Sequence, residues 1–265
     1  MIGAIYGDIC GSVFEFSNIK TKSFELFSEK SFFTDDTIMT VAVADSLLEF
    51  DKSSSTDVKE FKSILIDKMH IYGKKYPNGG YGGRFLKWLL TESCVPYFSC
   101  GNGSAMRVSP IAWYAKSLDD ALILARASAE VTHNHPEGIK GAEAIAGAIF
   151  LARKGGSMVE IKKFVSHYYK IDFTLDSIRD TYRFNETCQE TVPQALQAFF
   201  ESTSFEDSVR NAISIGGDSD TLAAICGSVA EAYYGITEEE KSRTVKYLDG
   251  YLLGRVTEFC EKYCV

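Results

Sequence analysis

Two short acidic segments, far apart in the sequence, carry oxygen ligands suited to a metal ion. Residues 34–37 read TDDT and residues 216–221 read GGDSDT, and each segment opens an apolar run with helical spacing. Residues two apart face opposite sides of a regular helix but the same side of an extended segment. Asp218 and Asp220 could therefore address one ion only where a helix begins. We expect the two acidic helix entrances to meet in space.

The donor atoms in these two segments define the kind of metal site that they could form. Four carboxylates would balance two divalent cations, and ligation by oxygen alone favours Mg²⁺ or Mn²⁺ over Zn²⁺. An aspartate at a helix start can also be a simple N-cap, and either segment alone favours that explanation. The two segments together favour a metal site, which would contain these carboxylates and the hydroxyls beside them: Asp35, Asp36, Asp218, Asp220, Thr34 and Thr221.

A glycine-rich segment, residues 99–108 (SCGNGSAMRV), is a candidate phosphate loop. It lacks the Gly-Lys-Ser/Thr ending of a Walker A sequence and the third glycine of a dinucleotide fingerprint. A glycine- and serine-rich helix entrance nevertheless offers unpaired backbone amides and the positive end of a helix dipole. His133 and His135 form a His-x-His pair, but no nearby acids complete a zinc site. Each of these signals is weak when taken alone.

Helices are the elements that must position these groups, because almost no segment alternates with a period of two. Glycine at positions 3, 7 and 11 gives the predicted first helix, residues 2–16, a bare face for close packing. Pro193 is expected in the first turn of a helix over residues 190–202. The remaining helices are predicted over residues 57–76, 84–90, 118–131, 137–153, 158–169 and 238–263. The sequence therefore predicts an all-α fold with one domain over residues 1–265.

The composition of the chain argues against some classes of binding partner. The chain has 265 residues, a formal charge of -8 and seven cysteines without a Cys-x-x-Cys pair. The negative charge argues against nucleic acid and anionic membranes, and the cysteine pattern argues against a disulfide framework. We find no signal peptide pattern and no apolar run of transmembrane length. We therefore expect a soluble, cytoplasmic monomer.

Taken in order, the motifs resemble the ADP-ribosylglycohydrolase family, which includes the dinitrogenase-reductase-activating glycohydrolases and the animal ADP-ribosylhydrolases. The matching segments span nearly the whole chain: residues 7–15 (GDICGSVFE), 33–37 (FTDDT), 101–107 (GNGSAMR), 132–133 (TH) and 216–221 (GGDSDT). Each segment alone is a modest match. Their combination in this order is a specific one.

The resemblance implies an all-α fold with a central dinuclear metal cleft, in which two Mg²⁺ ions assist cleavage of a glycosidic bond to ADP-ribose. It implies metal ligands at Thr34, Asp35, Asp36, Asp218, Asp220 and Thr221. It also implies that Glu15 is a mobile acidic residue, and that Glu15, Asp36 and Asp220 are catalytic. The diphosphate and ribose would be bound by Asn102, Gly103, Ser104, Ala105 and Met106, with His133 beside the phosphates.

Several properties stay open at the level of sequence. The acceptor released from ADP-ribose could be an arginine or serine side chain of a protein, or a small ADP-ribosyl compound. A metal-dependent phosphoesterase acting on a nucleotide would also use acidic clusters and a phosphate loop. A non-catalytic ADP-ribose-binding relative is a third possibility, although none of the metal aspartates is missing.

Overall fold

Fifteen helices form the chain over residues 1–264, which are the residues described by the computed structural model. No strand occurs in that range, and the only sheet-like pairing in it is an isolated antiparallel bridge between Gly101 and Thr187. The predicted all-α fold is confirmed. The helices are α1 (Ile2–Gly11), α2 (Asp35–Ser53), α3 (Val58–Lys75), α4 (Gly83–Leu90), α5 (Gly103–Met106), α6 (Ser109–Tyr114), α7 (Leu118–Glu130), α8 (Pro136–Arg153), α9 (Met158–Val165), α10 (Leu175–Ile178), α11 (Cys188–Phe200), α12 (Phe205–Ser214), α13 (Ser219–Tyr234), α14 (Glu238–Val245) and α15 (Gly250–Tyr263).

Side-chain caps define where many of these helices begin. Thr34 starts α2, Asp57 starts α3 and Ser117 starts α7, each accepting a hydrogen bond from a backbone amide of the first turn. Full capping boxes start α9, at Ser157 and Glu160, and α14. Polar residues at these positions accept hydrogen bonds from amides that have no partner within the helix. These helix starts can therefore be predicted from the sequence.

The centre of the fold is the close contact between α1 and α13. Every residue of α1 is buried, and its glycines face the backbone of α13. A Cβ added at Gly7 would lie 2.1 Å from the carbonyl oxygen of Ala223, and one added at Gly11 would lie 2.4 Å from the Cα of Asp220. The glycine face predicted from the sequence therefore lets α1 approach α13 at the start of α13, where Asp220 lies.

A Gly7→Ala substitution should destabilise the protein by about 3 kcal/mol or more, because the methyl group would meet main-chain atoms that cannot rotate away. Gly254→Ala is a matched control: Gly254 lies in α15, and apart from the neighbouring backbone of that helix, no heavy atom of the described chain lies within 4 Å of an added Cβ. Replacing a helical glycine with alanine at such a site should stabilise by up to about 1 kcal/mol. Denaturant unfolding of both variants tests this, and equal effects would contradict the close contact.

Several predicted helix boundaries are wrong. Helix α1 ends at Gly11 rather than Phe16, because the amide of Phe14 turns back to the carbonyl of Gly11 and the chain leaves the helix axis. Residues 238–263 form two helices, because Asp249 accepts hydrogen bonds from the amides of Tyr251 and Leu252 and so starts a new helix. Helix α9 ends at Val165, before the predicted Tyr169.

Helix α11 also differs from its prediction. It begins at Cys188, two residues before the predicted start, so Pro193 lies inside the helix instead of in its first turn. The earlier start coincides with the bridge between Gly101 and Thr187, where the amide of Cys188 donates to the carbonyl of Cys100. A contact between distant segments therefore defines this boundary.

One continuous cluster of buried apolar side chains runs through the helices, from Met1 in α1's cap to Phe259 in α15. Among residues 1–264, no helix combines the length and the apolar character needed to cross a bilayer. Buried polar residues interrupt this core at many places, and among them Asp36 and Asp220 are buried acids in the first turns of α2 and α13.

Candidate metal centre and substrate cleft

Asp8 on α1 organises the entrance of α2. Its carboxylate is fully buried and accepts hydrogen bonds from the amide and hydroxyl of Thr34, at 2.9 and 2.7 Å. It also accepts from the amide of Thr37, at 3.1 Å, and from the Thr37 hydroxyl. These four donors come from the first turn of α2, so Asp8 orients the turn that carries Asp35 and Asp36.

The two acidic helix entrances lie against each other. The Thr221 hydroxyl, in the first turn of α13, donates to Oδ2 of Asp36 at 3.1 Å. Asp218 is the N-cap of α13 and Asp220 is its second residue, so the two aspartates flank the helix start. In the part of the chain that the structure describes, the buried Oδ1 atoms of Asp36 and Asp220 have no hydrogen-bond partner. Such oxygens are expensive to bury unless something binds them.

Glu15 completes a group of carboxylates suited to a cation. One carboxylate oxygen from each of Glu15, Asp218 and Asp220 lies within 4.8 Å of the others. Hard oxygen donors and two unpartnered buried oxygens are what a site for Mg²⁺ or Mn²⁺ requires. The residues present therefore fit a divalent metal site.

Burial and mutual repulsion raise the pKa values of these acids. Burial raises the pKa of Glu15 to about 8, with further increases from Asp220 and Asp8. Burial raises the pKa of Asp218 to about 6, although the amide of Asn102 opposes the increase. Burial also raises the pKa values of Asp35, Asp36 and Asp220, and Asp220 is a neighbouring charge for both Asp35 and Asp36. Without cations, the folded protein therefore resists full ionisation of this cluster.

Burial and repulsion together make the contribution of Glu15 to stability depend on pH, and Glu15→Gln should remove that contribution. A carboxyl group whose pKa is higher in the folded state stabilises the fold below its unfolded pKa, and that stability is lost as pH rises through the folded pKa. For Glu15 the loss should extend from about pH 4.5 to about pH 8. In a chelator, the melting temperature of Glu15→Gln minus that of the wild type should therefore increase between pH 6 and pH 8.5. A difference that stays flat or falls over this range would contradict the raised pKa.

The segment after α1 is tied to the Gly216-Gly217 turn that precedes α13. The Asn18 side-chain amide donates to the carbonyls of Phe14 and Glu15, at 2.7 and 2.9 Å, and its oxygen accepts from the amide of Gly217 at 2.7 Å. Gly216 and Gly217 have φ values of 67° and 79°, which favour glycine. Asn18 therefore fixes the backbone of Glu15 relative to the turn that presents Asp218.

A cleft of about 430 Å³ opens beside the acidic cluster. Asn102 lines it, and its side-chain amide donates to Oδ2 of Asp218 at 2.7 Å and to the buried Thr191 hydroxyl at 3.2 Å. The backbone amide of Asn102 donates to the carbonyl of Glu186 at 2.7 Å. The glycine-rich loop is therefore built directly against the start of α13.

The cleft also contains two arginines and a histidine at some distance from the acids along the chain. Arg84 packs over the ring of Tyr97, with 5.0 Å from its Cζ to the ring centroid. Arg107 is fully buried, and burial lowers its pKa to about 10, so it remains a cation at neutral pH. Burial, followed by Arg107 and Arg84, lowers the pKa of His133 well below its usual value, so the ring is neutral. The cleft thus combines carboxylates with groups suited to an anion.

Most of the predicted site residues line the cleft, but some of them do not. The side chains or backbone of Asp35, Asp36, Asp218, Asp220, Thr221, Glu15, Asn102, Gly103, Met106 and His133 line the cleft. Thr34 is buried, with its hydroxyl donating to Asp8. Ser104 and Ala105 do not line the cleft, and the Ser104 hydroxyl donates to the carbonyl of Gly138 on α8. His135 does not line it either, and instead caps α8.

Sequence reasoning missed several residues of the site. Asp8 lies in the matching segment at residues 7–15 but had no assigned role, and Asn18 lies outside every motif. Arg84, Tyr97, Phe184 and Glu186 line the cleft without a motif that separates them from surface residues. Phe184 stacks on the exposed Phe16, with ring centroids 6.1 Å apart, at the rim beside Glu15.

Comparisons with known proteins agree with this architecture. The model of the ADP-ribosylglycohydrolase family matches residues 1–246. ADP-ribosylhydrolase ARH3 of Mus musculus is 26% identical over 322 aligned positions, covering 91% of this chain and 84% of that protein. ADP-ribosylarginine hydrolase Tri1 of Pseudomonas putida is 24% identical and covers 89% of this chain and 70% of that protein.

A solved structure gives the same result for the fold. A chain described as an ADP-ribosylglycohydrolase-related protein complex superposes with a TM-score of 0.68 at 22% identity, covering 98% of this chain and 96% of the other. At this identity the likeness concerns the fold alone. The helices that carry the cleft therefore belong to an architecture that is already known.

Proposed function

Because the chain belongs to the ADP-ribosylglycohydrolase family, we propose that its cleft hydrolyses the glycosidic bond between ADP-ribose and an acceptor, with two Mg²⁺ ions at the acidic cluster. Mn²⁺ would suit the same oxygen ligands. The observation that carries the proposal is the meeting of two acidic helix entrances, with the Oδ1 atoms of Asp36 and Asp220 buried and without partners in residues 1–264. Both aspartates line the cleft that the family membership would assign to substrate.

The size and charge of the cleft support this substrate class. Its volume of about 430 Å³ lies in the range usual for sites that bind small molecules. The acidic cluster would lie beside the ribose and the glycosidic bond that is cleaved. Arg84, the neutral ring of His133 and the backbone at Gly103 would bind the diphosphate.

The ligands would be Asp35, Asp36, Asp218, Asp220 and Thr221, with Thr34 in addition if its hydroxyl also serves an ion. When bound, the ions would supply orientation for ribose hydroxyls and water, and would neutralise charge that develops during cleavage. As metal ligands, Asp36 and Asp220 would help to hold the reacting groups in position. Glu15, which lies beside Asp218 and Asp220, would accept a proton from the attacking water and pass it to the departing acceptor.

The acceptor would be an arginine or serine side chain of a protein, or a small ADP-ribosyl compound. The aromatic pair of Phe16 and Phe184 and the carboxylate of Glu186 stand at the rim of the cleft, where an acceptor would leave. The name of one relative specifies arginine, and that specificity belongs to the relative. The test therefore includes both the arginine and the serine linkage.

The test is incubation with arginine- and serine-linked ADP-ribosyl peptides, with Mg²⁺ and with a chelator, followed by mass analysis of the products. We expect intact ADP-ribose and unmodified peptide from at least one linkage, and no cleavage in the chelator. Release of AMP or phosphate would identify a phosphoesterase instead. Tight binding of ADP-ribose without cleavage of either peptide or of a small ADP-ribosyl ester would identify a non-catalytic binding protein.

A further inference from the structure

The ring nitrogens of His133 have different surroundings, and one of them contacts a buried hydroxyl. Nδ1 lies 2.7 Å from Oγ1 of Thr132, and Thr132 is fully buried. The same Oγ1 accepts a hydrogen bond from the Arg107 guanidinium at 2.8 Å. Arg107 is fixed in turn by donating to the carbonyl of Ser128 at 3.0 Å. The three side chains form a chain of contacts that leads from the protein interior to the cleft.

The proton on the Thr132 hydroxyl determines the direction of these hydrogen bonds. Arginine can only donate, so the hydroxyl must accept from Arg107. Over residues 1–264, Nδ1 of His133 is the only acceptor that the structure gives for the hydroxyl proton. If Nδ1 carried a proton instead, the Thr132 proton would be buried without an acceptor, at a cost of about 1–3 kcal/mol. Nδ1 is therefore the acceptor, and because burial keeps the ring neutral, Nε2 carries the proton.

Nε2 points to the glycine-rich loop. A Cβ added at Gly103 would lie 3.0 Å from Nε2, and one added at Gly101 would lie 3.4 Å from it. No hydrogen bond to Nε2 occurs within the described part of the chain, while the ring itself lines the cleft. A neutral N–H group is thus presented beside the glycine-rich loop, with nothing from residues 1–264 accepting from it.

We propose that Arg107 and Thr132 are positioning residues that hold His133 as the Nε2-protonated tautomer, so that Nε2–H donates to a phosphate oxygen of the substrate. The diphosphate identity of that ligand rests on the proposed function, but the tautomer rests only on the contacts inside the protein. A hydrogen bond from a neutral ring, unlike one from an imidazolium, keeps its strength above the usual pKa of histidine. Neither Arg107 nor Thr132 needs to touch the ligand.

Two substitutions at Thr132 distinguish a role of its hydroxyl in positioning His133 from a role of the side chain in packing. Thr132→Val preserves the shape of the side chain but removes the hydroxyl, whereas Thr132→Ser keeps the hydroxyl and removes a methyl group. The first readout is the ¹⁵N spectrum of the four histidines, in which the His133 signals are assigned by their loss in His133→Gln. We expect the Nε2-protonated pattern in the wild type and in Thr132→Ser, and a mixture of both tautomers in Thr132→Val. An Nδ1-protonated ring in the wild type would overturn the proposal.

The second readout is the affinity for ADP-ribose in Mg²⁺, measured by calorimetry. In Thr132→Val we expect the Kd to rise as the fraction of rings that keep the proton on Nε2 falls, about twofold for an equal mixture of the two tautomers, and in Thr132→Ser we expect the wild-type Kd. Equal Kd values for the wild type and Thr132→Val would contradict positioning by the hydroxyl. If the wild type does not bind ADP-ribose, the proposed function fails, while the spectrum still decides the tautomer. Circular dichroism melting of each variant establishes that it is folded.

Discussion

Asp36→Asn and Asp220→Asn are each expected to lower kcat by on the order of 10³-fold, the scale seen when preorganised charge is removed from a reacting centre. Each aspartate contributes a buried Oδ1 atom that lacks a protein partner among residues 1–264, so each amide would remove a charged ligand from the cation site. The measurement is turnover of an ADP-ribosyl peptide in saturating Mg²⁺. Near-full activity in either variant would contradict the metal centre.

The same two variants should make the metal-free protein more stable. Burial and like charges raise the pKa values of both aspartates, so a neutral amide relieves repulsion that the wild type retains without cations. The melting temperature in a chelator should therefore increase, and the further increase produced by Mg²⁺ should become smaller. A decrease in the chelator would show that the aspartates serve the fold instead.

Asp45→Asn is the matched control, because it should change the melting temperature of the metal-free protein in the opposite direction. Asp45 is also buried and lies on the same helix, α2, but it has cationic partners: Nζ of Lys68 at 3.2 Å and a guanidinium nitrogen of Arg255 at 3.8 Å. Removing its charge takes one of two anionic partners from each cation, since Lys68 also pairs with Glu49 and Arg255 with Glu258, so Asp45→Asn should lower the melting temperature in the chelator. It should leave the stabilisation by Mg²⁺ unchanged.

The parts of the fold that are local in sequence could be predicted from it. Thr34 followed by two aspartates marks a helix start, because the threonine side chain caps an amide of the first turn. The spacing of Gly3, Gly7 and Gly11 predicted a close helix contact, although not that α13 is the partner. The meeting of the two acidic entrances was inferred from chemistry, since like charges converge only where a cation can balance them.

The parts that depend on distant contacts could not be predicted in this way. Helix α1 ends at Gly11, and Asn18 then ties the following turn to Gly217, which lies 199 residues away along the chain. The family resemblance assigned Ser104 to the substrate, yet the Ser104 hydroxyl donates to the carbonyl of Gly138 on α8. Arg84 and Phe184 reach the cleft through packing that no short motif encodes. A sequence pattern specifies which groups are available, whereas the fold decides which of them face the ligand.

Asp8→Ala should lower stability by about 2–4 kcal/mol and also reduce turnover, because four donors at the start of α2 would lose their acceptor. Loss of one buried negative charge would offset part of this effect, since burial raises the pKa of Asp8. Denaturant unfolding in a chelator measures the stability without a contribution from metal binding. The comparison variant is Asp57→Ala, which removes an exposed cap from α3 and should cost about 1 kcal/mol.

Asp8 and Asp220 are both buried in one acidic cluster, yet their replacement should change the stability of the metal-free protein in opposite directions. The Asp8 carboxylate is satisfied by hydrogen bonds from the protein, so it belongs to the fold. Oδ1 of Asp220 has no such partner in residues 1–264, so this carboxylate is available to a ligand that the protein does not supply. If Asp8→Ala costs no more than Asp57→Ala, or if Asp220→Asn is the more damaging change in the chelator, this division of the cluster is wrong.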